Sequence, residues 1–165
     1  MQHQEAEKEF ERHFKANEPL LHKVCRMYAD THADRQDLFQ EIVIQLWRAF
    51  PGYKGVSRFS TWLYRVAINT AISAARKQKD FITTYEPSAL QALTPHDEIV
   101  EENDQVKEMY DAISQLNPIE KAIVMLYLED RSYDEMEEVL GINQGNLRVK
   151  MTRIREKLRQ ITKQN

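Results

Sequence analysis

Apolar positions recur along this chain at steps of three and four residues, and no stretch alternates apolar with polar convincingly enough for a strand. That period places the apolar side chains of each segment on one face of a helix. It predicts helices over roughly Glu5 to Ala16, Pro19 to Thr31, Arg35 to Phe50 and Ser60 to Lys79. A second set follows over Asp104 to Gln115, Pro118 to Glu129, Ser132 to Leu140 and Gln144 to Ile161. Between the sets, Phe81 to Asn103 holds Pro87, Pro95 and several Ser and Thr, lacks a sustained apolar stripe and turns acidic near its end. It reads as a flexible linker. The expected architecture is all-α: two small helical domains, 1–80 and 104–165, joined by a tether over 81–103.

The last two helices have the pattern of a helix-turn-helix. Leu147, Met151, Ile154, Leu158 and Ile161 form one apolar stripe, flanked by Arg148, Lys150, Arg153, Arg155, Lys157 and Arg159. Ahead of them, Ser132 with Glu135 three residues on predicts a capping box, Met136, Val139 and Leu140 an inward face, and Gly141 a left-handed helix exit. In this geometry the start of the second helix enters the major groove, so Gln144, Asn146, Arg148, Val149, Lys150, Thr152 and Arg153 are the candidates to touch bases or phosphates. A plain helical hairpin with a solvated basic face is the competing reading.

In the first domain, Phe39, Val43, Leu46, Trp47 and Phe50 share a face suited to the core, and Asp37, Gln40, Glu41, Ile44 and Arg48 lie away from it. Ile44 is apolar on a polar face, which fits a partner contact or an incidental exposed side chain. The next helix is entered through Phe50 to Phe59, a loop interleaving Tyr53, Lys54, Arg58 and Phe59 with glycines. Leu63, Ala67, Thr70, Ala71 and Ala74 give it a narrow packing face, and Thr61, Trp62, Arg65, Asn69, Ser73 and Arg76 lie beside that face. Cations and amides near an aromatic suit single-stranded DNA, where charge follows phosphates and a pocket holds an unstacked base. Tyr53 and Trp62 fit equally well as ordinary core residues.

Composition narrows the picture. The chain is 42% hydrophobic and 30% charged, the balance of a soluble globular protein. No apolar run spans a membrane and the polar start lacks a signal-peptide core, so a cytoplasmic protein without membrane insertion is expected. Cys25 is the sole cysteine, which excludes an internal disulfide and a cysteine-based zinc site. The five histidines show no metal-ligand spacing and no glycine-rich phosphate loop exists, so neither a metal, a cofactor nor a catalytic role is expected. A net charge of −3 argues against strong autonomous DNA binding and for a larger partner that supplies affinity.

These residues resemble the bacterial sigma factors, specifically the small extracytoplasmic-function (ECF) subclass. The resemblance rests on Asp37-Leu38-Phe39-Gln40-Glu41 with Leu46-Trp47-Arg48-Ala49-Phe50, on Phe59 to Ala71, and on the terminal helix-turn-helix. It implies that Asp37, Gln40, Glu41, Ile44 and Arg48 bind core RNA polymerase. It also implies that Tyr53, Lys54, Arg58, Phe59, Thr61, Trp62, Arg65, Asn69 and Arg76 handle the minus-ten element as single-stranded promoter DNA. The C-terminal domain would read the minus-thirty-five element as duplex, and an anti-sigma factor is an expected partner. Members of the family usually carry a small residue where this chain has Glu137 and a Thr where it has Asn146, so Glu137 must bend outward or the helix crossing must open. The rival readings are a stand-alone helix-turn-helix regulator that does not use polymerase, and an interaction protein that titrates a partner.

Overall fold

The computed structural model describes residues 2–84 and 103–163, the side chains of 78–84 excepted. Among the described residues there are seven α-helices and no strand. The first domain holds α1 (Gln2–Tyr28), α2 (His32–Ala49), a single 3-10 turn (Phe50–Gly52) and α3 (Phe59–Thr84). The second holds α4 (Asp104–Ser114), α5 (Pro118–Leu128), α6 (Tyr133–Leu140) and α7 (Gln144–Lys163). Most of the expected linker lies outside the described residues. Its two ends are drawn into structure, since α3 runs through Thr84 and Asn103 caps α4 by accepting a hydrogen bond from Gln105 N at 2.9 Å.

The two helices expected before residue 31 are one. Pro19 lies inside α1, where it lacks an N–H and costs about 3 kcal/mol in an isolated helix. Pro19 and Lys15, four residues earlier, are both exposed, so the interruption lies on the solvent side of the helix. Phe10 on one side of the proline and Leu21 and Val24 on the other are buried in the same core, and this packing holds the helix through the interruption. Thr31 leaves the helix and instead caps α2, its hydroxyl accepting from Asp34 N at 3.1 Å.

Leu21, Val24, Ile42, Leu46, Leu63 and Ala67 are fully enclosed where α1, α2 and α3 meet. The buried face of α2 is Leu38, Ile42 and Leu46, so it is rotated from the expected one: Phe39, Val43, Trp47 and Phe50 pack at its edge, half-buried. Burial of each Leu or Ile is worth about 1.5–3 kcal/mol, and Leu46→Ala should cost about 2–5 kcal/mol. The second domain is built around Ile123, Leu126, Met136, Leu147 and Ile154. Asn117 starts α5 with a full capping box to Glu120, at 2.8 and 3.1 Å. At α6 only half of the expected box forms. Ser132 Oγ accepts from Glu135 N at 3.2 Å, and the Glu135 carboxylate turns instead to Arg131 at 3.1 Å.

The domains touch. α1 and α3 pack against α4, α5 and α6. Lys23 Nζ lies 2.7 Å from Glu129 Oε1, the Tyr28 hydroxyl donates to Pro118 O at 2.6 Å, and Arg131 Nη1 donates to Ser60 Oγ at 3.3 Å. The Arg131 guanidinium also lies 5.2 Å over the ring of Tyr64, which is fully buried.

Candidate nucleic-acid and polymerase interface

On α2, Asp37, Gln40, Glu41, Ile44 and Arg48 are all exposed, on the side away from Leu38, Ile42 and Leu46. Ile44 is 45% exposed, among the largest uncovered apolar side chains of the first domain. The Glu41 carboxylate accepts from Gln45 at 3.0 Å, which holds it against its own helix.

The loop into α3 is rigidified by aromatics. Tyr53 donates to Ser57 O at 2.9 Å across the loop, and its ring lies 5.2 Å from Trp62 and 5.6 Å from Phe59. Phe59 is only 7% exposed, with His13 stacked on it at 4.8 Å. Thr61 is 6% exposed. Of the expected DNA contacts, Phe59 and Thr61 are thus buried side chains, Phe59 among the rings of Tyr53, Trp62 and His13. Tyr53 and Trp62 are half-buried, so each has a core face and an open edge. Lys54 and Arg58 are exposed on the loop, and Arg65, Asn69, Ser73 and Arg76 form an exposed stripe along α3. The buried face opposite is Leu63, Ala67 and Ala71, as the small-residue spacing predicts.

In the helix-turn-helix, Gly141 has φ +71°, the left-handed exit that glycine adopts without steric cost. Asn143 caps α7, accepting from Asn146 N at 2.8 Å, a role that its place one residue before the helix makes legible. Asn146, Arg148, Val149, Lys150, Thr152 and Arg153 are exposed; Val149 is 50% so. Gln144 is half-buried and its amide is held by Asp134, so it braces the two helices rather than standing free. Arg148 lies 4.7 Å over the Tyr133 ring and Thr152 Oγ1 is turned back to Arg148 O at 3.0 Å. Glu137 is half-buried, while Met136 and Val139 fill the interior.

Two concavities lie by these faces. Arg76 of α3, Lys150 and Arg153 of α7, and Pro118 and Glu120 at the start of α5 line a cleft of about 430 Å³. An apolar groove of about 350 Å³ runs between α4, α5 and α7, lined by Met109, Ile113, Val124, Leu128, Met151 and Leu158. Among the described residues no group of His, Cys, Asp or Glu could hold a metal ion, and no helix is long and apolar enough to cross a membrane. Arg131, with its contacts to both domains, was not visible in the sequence as a functional residue. No periodicity or motif marks it.

The fold and its exposed faces define a two-module helical DNA-binding protein with one helix-turn-helix. The sequence profile of sigma-70 region 2 matches residues 13–81, and that of sigma-70 region 4 matches residues 107–158. The chain belongs to the sigma-70 family, in its ECF subclass, and directs RNA polymerase to promoters. It is 28% identical over 152 residues to the ECF RNA polymerase sigma factor SigW of Bacillus subtilis, covering 84% of this chain and 81% of that protein. With the sigma factor CarQ of Myxococcus xanthus it shares 29% over 161 residues, 94% of this chain and 90% of that one. In fold it is similar to the sigma factor RpoE of Bartonella quintana, solved in complex with the anti-sigma factor NepR, at a TM-score of 0.75 and 17% identity over 94% of this chain and 98% of that one.

Proposed function

We propose that the first domain, residues 1–80, binds core polymerase and opens the minus-ten element, and that the second, 104–165, reads the minus-thirty-five element as duplex. The observation that carries this division is the exposed α3 stripe of Arg65, Asn69 and Arg76 beside the open edge of Trp62, carried on a different module from the exposed basic start of α7. The first arrangement suits a single strand, with cations for phosphates and an aromatic edge for a base. The second suits a major groove. Asp37, Gln40, Glu41, Ile44 and Arg48 are the polymerase-binding face, an acidic surface with one apolar anchor. Tyr53, Lys54, Arg58, Trp62, Arg65, Asn69 and Arg76 handle the melted strand, with Phe59 and Thr61 setting the loop from within. Asn146, Arg148, Val149, Lys150, Thr152 and Arg153 contact the duplex, braced by Gln144.

The protein is not itself an enzyme; it supplies promoter recognition to one, in the cytoplasm where polymerase works. An anti-sigma factor is its regulatory partner, a reading supported by the likeness in fold to a sigma factor solved with one. The match to both sigma regions in one chain leaves the stand-alone regulator without support. Run-off transcription with core polymerase on a promoter library tests the function: start sites should appear only when this protein is added. Asn69→Ala should then lose discrimination at one minus-ten base while retaining core binding. Loss of core binding instead would remove Asn69 from the DNA-reading set.

A further inference from the structure

Cations from both domains meet at one cleft, and none of them is neutralised there. Arg76 of α3 and Lys150 and Arg153 of α7 line the space of about 430 Å³, with Ala75 and the first turn of α5 as its other walls. All three side chains are exposed, and none makes a hydrogen bond, ion pair or ring contact among the described residues. Their neighbours on α7 are accommodated differently: Lys157 pairs with Glu120 at 3.0 Å, Arg148 lies over the Tyr133 ring and Arg155 over the Tyr127 ring.

The carboxylate at the cleft is already committed. Glu120 accepts from Lys157 through both oxygens at 3.0 Å and from Asn117 N at 3.1 Å, so it closes its own capping box and leaves the three cations unanswered. Like charges gathered in a cleft concentrate positive potential and draw in anions. Pro118 and Ile119 bring the start of α5 to the same space, and the positive end of that helix adds to the field.

Shape and lining narrow the class of anion. The volume lies within the range of about 300–1,000 Å³ common to small-molecule sites, and it has room for roughly fourteen waters at about 30 Å³ each, more than a single phosphate group fills. Among the described residues no aromatic ring lines it, so it offers no surface on which a nucleobase stacks. Two guanidinium forks and one ammonium suit several phosphoryl groups in a row, the forks binding oxygens in pairs and the lysine acting as a point charge. The two walls are joined at the α5–α6 turn. There Asp130 adopts φ +57°, a left-handed conformation rare for a non-glycine residue, between Glu129, which pairs with Lys23 at 2.7 Å, and Arg131, which donates to Ser60 at 3.3 Å.

We propose that this cleft is a binding site for an oligophosphate, free or carried on a nucleoside, whose phosphoryl chain bridges Arg76 of the first domain to Lys150 and Arg153 of the second. The same three cations are assigned to DNA phosphates above, so bound oligophosphate and promoter DNA compete for them; only this consequence rests on the sigma reading. Isothermal titration calorimetry on the full chain, at low salt without magnesium, reads the site without polymerase or DNA and is separable from run-off transcription. Inorganic tripolyphosphate should bind saturably with one site per chain, and orthophosphate at matched ionic strength at least tenfold more weakly. Arg76→Gln, Lys150→Gln and Arg153→Gln should each weaken tripolyphosphate about tenfold, the equivalent of one charge-assisted hydrogen bond. Lys107→Gln, which removes an exposed cation away from the cleft, should leave its affinity unchanged. ATP bound as tightly as tripolyphosphate supports a site that reads the chain alone, and tighter ATP supports a nucleoside-borne ligand. No saturable binding of either, orthophosphate bound equally well, or an Arg76→Gln chain that binds like wild type would overturn the site. The last result would reduce it to the basic surface of α7.

Discussion

The hydroxyl of Tyr53 donates to the carbonyl of Ser57 at 2.9 Å, closing the loop that presents Lys54, Val56 and Arg58. Val56 is 95% exposed at the tip, and this bond and the aromatic packing below it help to fix the loop's shape. Tyr53→Phe keeps the ring and removes the bond, at about 1 kcal/mol. The expected result is a single-stranded minus-ten oligonucleotide bound roughly fivefold more weakly, measured by fluorescence anisotropy, with the thermal midpoint nearly unchanged. Equal affinity in the two proteins would mean that the loop is held by packing alone.

Ile44 separates binding from folding. Its side chain is 45% exposed and leaves the core to Ile42 and Leu46. Ile44→Glu should change stability by no more than about 0.5 kcal/mol and sharply weaken association with core polymerase in a pull-down or by interferometry. Undiminished association would take Ile44 out of the polymerase face.

Lys150 and Arg153 are exposed on α7 and contact phosphates in the proposed complex. Each neutralised phosphate contributes about 0.9 to the slope of log affinity against log salt. Lys150→Ala with Arg153→Ala should lower that slope by about 1.8 and weaken binding equally across promoter sequences. A change in sequence preference instead would place one of them on a base edge.

Burial pushes the Cys25 thiol up from 9.0 to about 11, with Arg35 pulling the other way. Between those values the unfolded chain releases the thiol proton and the folded chain keeps it. Stability therefore declines as pH rises through that window, by at most about 1.4 kcal/mol per pH unit. Urea midpoints at intervals from pH 8.5 to about 11 should fall less steeply for Cys25→Ala than for wild type. Parallel declines would show that other groups account for the alkaline loss.

The helices were legible because their apolar periods are long and their caps local. Asn117-Pro118, Ser132 and Gly141 each act within four residues of their position in sequence. Three features were not. Pro19 reads as a helix start, yet Phe10, Leu21 and Val24 in a common core outweigh its local penalty, and that core is assembled from distant segments. Phe59 sits among cationic and aromatic neighbours that suit DNA, but it is buried with His13 of α1 stacked on it, which no local pattern includes. Arg131 finds Ser60 seventy-one residues away, a pairing set wholly by how the domains dock. The exposed side of α2 was more legible: Asp37, Gln40, Glu41, Ile44 and Arg48 are all exposed as their spacing predicts, although the buried face is rotated toward Leu38 and Ile42.

The left-handed backbone of Asp130 also bears on any attempt to make this protein more robust. Glycine relaxes such a position at almost no steric cost, so Asp130→Gly is the replacement that a stabilisation screen guided by backbone geometry selects. It would also loosen the direction in which Glu129 and Arg131 point, and with it the contacts to Lys23 and Ser60 that join the two domains.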